Sequence, residues 1–306
     1  MSKNMVEFAE KTSRVSETSS KVLVPPLKIQ GIKTKVVPAI SGLVELSEDS
    51  LWVEPFMGSG VVGFNLAPKR AVFGDSNPYV IRFYDDVRKG KVTAEVVRRF
   101  LTEEGRILLE MGAERYYEVR KRFNETSDSL DFLFLNRSCF NGLMRFNRDG
   151  RFNVPFCRKP ERFSKAYVTK IANQVAFVEN LMKERDWTFL NASFNETLSS
   201  VAGEKDVFVY CDPPYSGRHS DYYDSWSDDD DVRLRDVLVE SGFPFVVSTW
   251  KGNSYRTNPA VESVWGFCDE FDVEHFYHVG ASEDNRSAMT EALLTNRRPD
   301  GTILRP

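Results

Sequence analysis

The chain has 306 residues, 41% hydrophobic and 28% charged, with a formal net charge of -4. That length and composition permit one large core with a smaller inserted domain, and they exclude a fibrous or wholly disordered protein. The four cysteines, Cys139, Cys157, Cys211 and Cys268, form no C-x-x-C pair, no apolar run approaches the ~20 residues of a membrane span, and no leader-like segment opens the chain, so neither a zinc site, a disulfide framework nor a membrane anchor is expected and a reduced cytoplasm is the natural home.

Residues 1–21, with Ser13, Ser16, Thr18, Ser19 and Ser20 among charges, read as a mobile tail. Residues 51–54 and 71–74 read as the first two parallel strands with a helix between them, and a second helix begins across 77–86. From about residue 86 the pattern is helical and charged, over 95–110, 114–123 and 130–140. Asp149-Gly150, set between Met144-Arg145-Phe146-Asn147 and Arg151-Phe152-Asn153-Val154, is a hairpin signal. Helical spacing returns across 164–185, followed by a strand at 188–190 and another at 207–211. Ser227 followed by four aspartates, Asp228 to Asp231, resembles an acidic metal site. A helix start explains it better, with Ser227 as cap and the aspartates at the positive end of the dipole, so no metal is expected. Residues 245–249 and 291–295 should be late strands, the last antiparallel. His275 and His278 alternate as on a strand and read as surface rather than as a ligand pair. Strands alternating with helices predict an α/β fold with a doubly wound, mostly parallel sheet that binds its ligands at the carboxyl ends of the strands.

Both chemical motifs fall at such ends. The run from Trp52 through Glu54, Pro55, Phe56, Gly58, Ser59 and Gly60 to Gly63 is a strand followed by a glycine-rich turn that opens a helix. Its glycines match G-x-G-x-x-G, so a dinucleotide site is one reading. A dinucleotide fold wants its ribose-binding acid about 20 residues further on. Asp75 comes rather early, which counts only mildly against it. In the other reading the glycines let the backbone approach the amino-acid half of S-adenosylmethionine, and Asp75 accepts from its ribose hydroxyls.

Far downstream, Asp212-Pro213-Pro214-Tyr215 ends the apolar run Val207-Phe208-Val209-Tyr210. The prolines fix φ and remove two backbone donors, so the chain leaves the sheet as a stiff loop. A strand-ending turn without chemistry is the plain alternative, because Asp-Pro is a common turn former. Yet an acid, two prolines and an aromatic suit methylation of an exocyclic amine, whose lone pair is delocalised into its ring. Two acceptors aimed at its N–H bonds, the Asp212 carboxylate and the Pro213 carbonyl, favour the rehybridised nitrogen that attacks. Tyr215 offers a face for stacking, worth ~1–3 kcal/mol per base.

With these two motifs in this order the chain resembles the Dam-type (alpha-class) DNA adenine-N6 methyltransferases, over roughly residues 22–296. Stretches 24–38, 132–155 and 274–293 are most similar to modification methylases of the EcoRV type. The resemblance implies a Rossmann-like domain that uses S-adenosylmethionine, formed by residues 22–85 and 168–306. Residues 86–167 would be an inserted helical target-recognition domain carrying the hairpin. It implies that Lys33 contacts the methyl donor and that Lys28 reads a guanine edge. Glu54, Pro55, Phe56, Gly58, Ser59, Gly60, Asp75, Asn77 and Asp212 would border the donor, with Ser193 and Phe194 beside its adenine. Ile29 stands where these enzymes carry Trp, and Ile32 replaces a glycine. Phe194 could as easily be ordinary core.

Residues 137–170 hold nine basic and two acidic side chains, interleaved with Phe140, Phe146, Phe152, Phe156 and Phe163. A β-hairpin fits a DNA major groove, where Arg can bond guanine O6 and N7 together. By the resemblance, Phe140 wedges into the base stack and Asn141 approaches the orphaned partner base. Leu143, Arg145, Pro155 and Arg158 touch bases or backbone, and Arg218, after the catalytic loop, lies near the flipped base or is simply solvated. The target adenine must leave the duplex, at a cost of a few kcal/mol. The expectation is a sequence-specific adenine-N6 methyltransferase acting on double-stranded DNA, monomeric in solution, with GATATC as its site and a cognate restriction endonuclease as its counterpart. Methylation of cytosine N4, an RNA base or a protein glutamine remains an alternative, as does a DNA-binding module without turnover.

Overall fold

A strand that is buried at all four residues, as Leu51–Glu54 (β1) is, must be covered on both faces and flanked on both sides. The computed structural model describes residues 21–215, 226–252, 256–276 and 288–306, and the further strands among them are Arg70–Asp75 (β2), Asp186–Asn191 (β3), Val207–Cys211 (β4), Phe245–Gly252 (β5), Asp269–Phe276 (β6) and Ala288–Thr295 (β7). They form one sheet in the order β3-β2-β1-β4-β5-β7-β6. β3 to β5 are joined by parallel pairings, and β7 runs antiparallel to both β5 and β6. The strand order reverses between β1 and β4, and the crevice at such a reversal is where open α/β sheets bind ligands. Both motifs read from the sequence leave the sheet there.

Side-chain alternation divides the core into two layers. Trp52, Phe73, Trp187, Phe208 and Tyr210 project to one face of the sheet. They pack against helices Val61–Leu66 (α2), Pro78–Arg88 (α3) and Lys165–Lys183 (α7), and the short helix Val37–Leu43 (α1) joins this layer. Val53, Val209, Cys211, Val247 and Leu294 project to the other, under helices Phe194–Ser199 (α8) and Asp228–Ser241 (α9) and beside Trp265. A last short helix is Ala260–Ser263 (α10). The sequence reading finds the long helices and every strand except β6, where it marks only the alternation around His275, and it misses α1, α8 and α10, each too short to establish a helical period.

Helix starts follow side-chain chemistry. Asn77 accepts from the amides of Tyr79 and Val80 ahead of Pro78, and Ser164 caps α7. Ser227 and Asp230 form a reciprocal capping box at the start of α9, as the acidic run predicts. Between α3 and α7, helices Ala94–Met111 (α4), Ala113–Thr126 (α5) and Ser129–Ser138 (α6) are locked together by ion pairs. Glu104 holds Arg115 at 2.8 Å and Arg122 at 3.0 Å, and Arg122 reaches Asp131 at 2.7 Å.

The hairpin signal yields two isolated bridges, Phe146 with Phe152 and Cys139 with Phe156, in place of a continuous ladder. Its turn is closed by the Asn147 side chain, which accepts from the amides of Asp149 and Arg151. Phe146 stacks on Tyr79 with centroids 4.9 Å apart. Phe152 is buried and its backbone pairs with the Asn124 side chain. The arginines at 145, 148, 151 and 158 face solvent.

The segment before α1 is held as a strap against this helical region. Asn136, fully buried near the end of α6, accepts from the Lys28 amide at 2.8 Å and donates to its carbonyl at 2.7 Å. The neighbouring Arg137 guanidinium donates to the Pro26 carbonyl. Asn136→Ala leaves both backbone groups of Lys28 unpaired and is expected to cost about 1–3 kcal/mol. Urea unfolding with an unchanged slope and a lower midpoint would show this, and an unaltered midpoint would remove the clamp from the account.

Candidate active site

A cavity of about 330 Å³ opens at the carboxyl ends of β1 and β4, within the range of small-molecule sites. Its walls bring together, from five separated stretches of sequence, Lys33, Glu54, Pro55, Phe56, Gly58, Ser59, Asp75, Asn77, Ser193, Phe194, Asp212 and Pro214. Gly60, Pro213 and Tyr215 adjoin these residues in sequence but are not part of the lining. Gly60 has φ 71 at the head of α2, and a Cβ there would lie 2.5 Å from Phe64. Glycine is required for the turn itself, quite apart from any ligand.

On one side of the cavity the groups are tied to the scaffold. Asp75 accepts from the amide of Gly58 through one oxygen and from that of Asn77 through the other, both at 2.9 Å. It thereby fixes the glycine turn to the start of α3. Ser193 caps α8, with Glu196 bonding back to it. Glu54 accepts from the Trp52 indole and from the Gly63 amide, each at 3.1 Å. Burial nevertheless pushes its carboxyl up to about 8, so it is mostly protonated at neutral pH.

Phe194 belongs to both readings offered for it, being a core residue and part of the wall. It stacks with Phe56 at 5.6 Å, and Trp226 meets Phe56 edge-on at 5.4 Å. The Trp226 indole donates to Asp231 at 3.0 Å. These three rings form an aromatic corner suited to a flat heterocycle. The sequence reading does not single out Trp226, which stands between the Asp212-Pro213-Pro214-Tyr215 stretch and the acidic helix start without a motif of its own.

The opposite side carries the charge. Lys33 reaches Asp212 at 2.9 Å and Glu291 at 3.2 Å, and donates to the Gly31 carbonyl at 3.1 Å. Its ammonium therefore has three acceptors within the protein. Burial disfavours that charge, but Asp212, Tyr215 and Glu291 outweigh it and raise the Lys33 pKa well above the ordinary value. Two carboxylates share one cation. Asp212, with 23% of its side chain open, is pushed up to about 6 by burial and by Glu291, against the pull of Lys33. The Tyr215 hydroxyl donates to Glu291 at 3.0 Å, and the Lys33 ammonium lies 5.0 Å from the Tyr215 ring centre. Ser248 on β5 donates to the same Glu291 oxygen at 2.6 Å. Glu291 is the principal residue that the sequence reading passes over as plain strand. The only signal for it is an acid in a strand otherwise apolar at 292–294.

The residues assigned to DNA occupy one region. Phe140 is 50% exposed and Asn141 beside it has φ 54. The Pro155 carbonyl accepts from the Phe140 amide at 2.8 Å. Arg145 donates to Asn153 at 2.9 Å, and Arg158 is exposed in the left-handed region at φ 58. Leu143 is half-buried against the core. Lys28 passes over Gly142, where a Cβ would lie 3.0 Å from the lysine Cδ. Burial, with Arg162 and Arg137 nearby, lowers the Lys28 pKa against the opposing influence of Tyr167. Phe146, Phe152, Phe156 and Phe163 belong to the core or pack on it, so of the five phenylalanines in the basic run Phe140 alone is exposed. Arg218 lies outside the described residues, as does His278.

Comparison with known proteins bears on this arrangement. Residues 30–279 match the family described as D12 class N6 adenine-specific DNA methyltransferase. A DNA adenine methylase of Vibrio cholerae is 36% identical over 196 residues, which cover 62% of this chain and 64% of that protein. The chain thus aligns with just under two thirds of that relative's length. The retron Ec67 DNA adenine methylase of Escherichia coli is 32% identical, over 72% of this chain and 75% of that protein. The type II methyltransferase M1.LlaDCHI of Lactococcus lactis subsp. cremoris is 29% identical, over 89% and 95% respectively. With the glycine turn, Asp212-Pro213-Pro214-Tyr215 and the basic hairpin inside or beside the matched span, the chain belongs to the D12 class of N6 adenine-specific DNA methyltransferases.

Proposed function

We propose that the protein transfers a methyl group from S-adenosylmethionine to the N6 amine of an adenine flipped out of duplex DNA. The observation that carries this reading is Asp212 at the cavity wall beside Lys33, at the end of the strand adjoining the glycine turn. The donor supplies a methyl group already activated on a sulfonium, with a neutral thioether as leaving group. Gly58, Ser59 and Asp75 would hold its amino-acid and ribose portions. Phe56, Phe194 and Trp226 would hold its adenine. Each of those groups lines the cavity, and the aromatic corner suits a planar base.

The chain's own contribution is placement and polarisation. Asp212 and the Pro213 carbonyl accept the two N–H bonds of the substrate amine, which raises electron density on nitrogen as it becomes positive. Tyr215 stacks on the flipped base while its hydroxyl is anchored to Glu291. The proton lost from the methylated nitrogen passes to water, because the product ammonium is acidic. Lys33, held by three acceptors, acts by neutralising Asp212 and Glu291.

DNA recognition would fall to the helical insert, residues 86–167, with Lys28 added by the strap. Phe140 would wedge into the stack with Asn141 near the vacated place, and Arg145, Arg158, Leu143 and Pro155 would line the groove. Arg218 would approach from the catalytic loop. Relatives that are type II methyltransferases support membership in a restriction-modification pair. Likeness to EcoRV-type methylases supports GATATC, modified at the adenine after the guanine.

Three outcomes are expected. Plasmid incubated with enzyme and S-adenosylmethionine should resist EcoRV cleavage, with N6-methyladenine as the methylated base by mass spectrometry; full cutting would refute the site, and another methylated base would refute the substrate. Asp212→Ala should keep DNA binding and lose ~10² or more in single-turnover rate; near-native turnover would overturn the role of Asp212. Because the ionised carboxylate is the acceptor, the rate should fall as pH drops through about 6 and level off above it. A profile flat from about pH 5 to about pH 8, a window that brackets the raised value, would rule this out.

A further inference from the structure

Glu291 is 2% exposed and sits on β7, the antiparallel strand remote in sequence from both motifs. A lone buried carboxylate is costly unless its charge is matched and its oxygens are bonded. One oxygen, Oε1, gathers three donors from three parts of the chain. They are the Ser248 hydroxyl on β5 at 2.6 Å, the Tyr215 hydroxyl at 3.0 Å and the Lys33 ammonium of the strap at 3.2 Å. Two of those donors belong to the site proposed for methyl transfer. The third, Ser248, is fully buried and lies on the neighbouring strand, so it fixes the carboxylate from behind.

The consequence for Asp212 follows from sharing. The Lys33 ammonium has three hydrogens, and one is directed to Gly31. Were Glu291 absent, Asp212 would be the sole carboxylate on Lys33. The ion pair would then draw electron density toward the lysine and away from the substrate amine. Tyr215 would also lose the anchor that sets the plane of its ring. We propose that Glu291 is a positioning residue for methyl transfer, which divides Lys33 between two carboxylates and orients Tyr215 so that Asp212 keeps its acceptor strength for the substrate.

This inference rests on the function proposed above, and its test separates the two. Among the described residues, the charged and titratable groups around Asp212 are Lys33 from the strap, Glu291 from β7, Glu54 from β1, Tyr210 and Cys211 from β4, and Tyr215. Of these, Glu291 is the group that Glu291→Gln neutralises while keeping an oxygen for Ser248 and Tyr215. Selective 13C labelling of aspartate carboxyls, with Asp212→Asn to assign the signal, reads the titration of Asp212 without any need for turnover. In Glu291→Gln the Asp212 midpoint should move to lower pH, because a like charge has gone and Lys33 is no longer shared. The acid limb of the methylation rate should move with it, and kcat should fall about 10- to 10²-fold while KM for the donor changes little. Ser248→Ala, which keeps the charge but loosens it, should lower kcat less and leave the Asp212 midpoint closer to wild type.

If the midpoint in Glu291→Gln matches wild type, the sharing is wrong whatever the rate does. If the midpoint moves but kcat and its acid limb stay put, Glu291 tunes the carboxyl without positioning it for reaction, and the proposal fails. Should Glu291→Gln not fold, an Asp212 midpoint in Ser248→Ala identical to wild type together with unchanged kcat would also overturn it. Absence of methyl transfer by the wild-type enzyme on any DNA would instead refute the proposed function, while the titration would still decide the sharing.

Discussion

One buried ammonium between two carboxylates sets the terms for the rest of this protein. Lys33 is closed in by Asp212, Glu291 and the Gly31 carbonyl, and no arrangement of a single cation can fully satisfy two anions. The cavity wall therefore keeps some negative character beside Lys33. Burial then determines which acid bears the imbalance. It lifts Asp212 toward about 6, and Glu54, more deeply enclosed, to about 8. A sheet that reverses its order between β1 and β4 is what brings these acids to one crevice.

The lysine arrives on a segment that also serves the opposite region of the molecule. Five residues before Lys33, Lys28 is clamped by Asn136 on α6, and two residues before that Pro26 accepts from Arg137. The strap therefore joins the end of α6 with the Asp212 carboxylate at the end of β4. A turn at Gln30-Gly31, with Gly31 at φ 75, lies between the two points of attachment.

Much of this was legible in the residues alone. The strands announced themselves because a strand covered on both faces is a run of apolar residues, as Val207 to Tyr210 is. The cap at Ser227 is local chemistry, readable within four residues. The glycine turn and the Asp212 loop are likewise contiguous. What escaped was assembled across distance. Glu291 acquires its meaning from Lys33, more than 250 positions earlier in the sequence, and from Ser248 on the adjoining strand. Trp226 matters because Phe56 and Phe194 come to meet it. Asp75, expected to greet a ribose, also ties the turn to α3, a bond that exists only once β2 is beside β1. Tyr215 reads from sequence as an open ring face, yet its hydroxyl is engaged by a partner that no local pattern reveals.

The hairpin between α6 and α7 separates two kinds of side chain by alternation, the phenylalanines turned to Tyr79 and Phe123 and the arginines turned outward. Its fold therefore rests on one set of positions, and the other set carries no packing duty. If the outward set reads DNA, as proposed, a lineage could exchange those side chains a few at a time without new architecture, and hybrid proteins with transplanted outer residues should be viable as folded molecules.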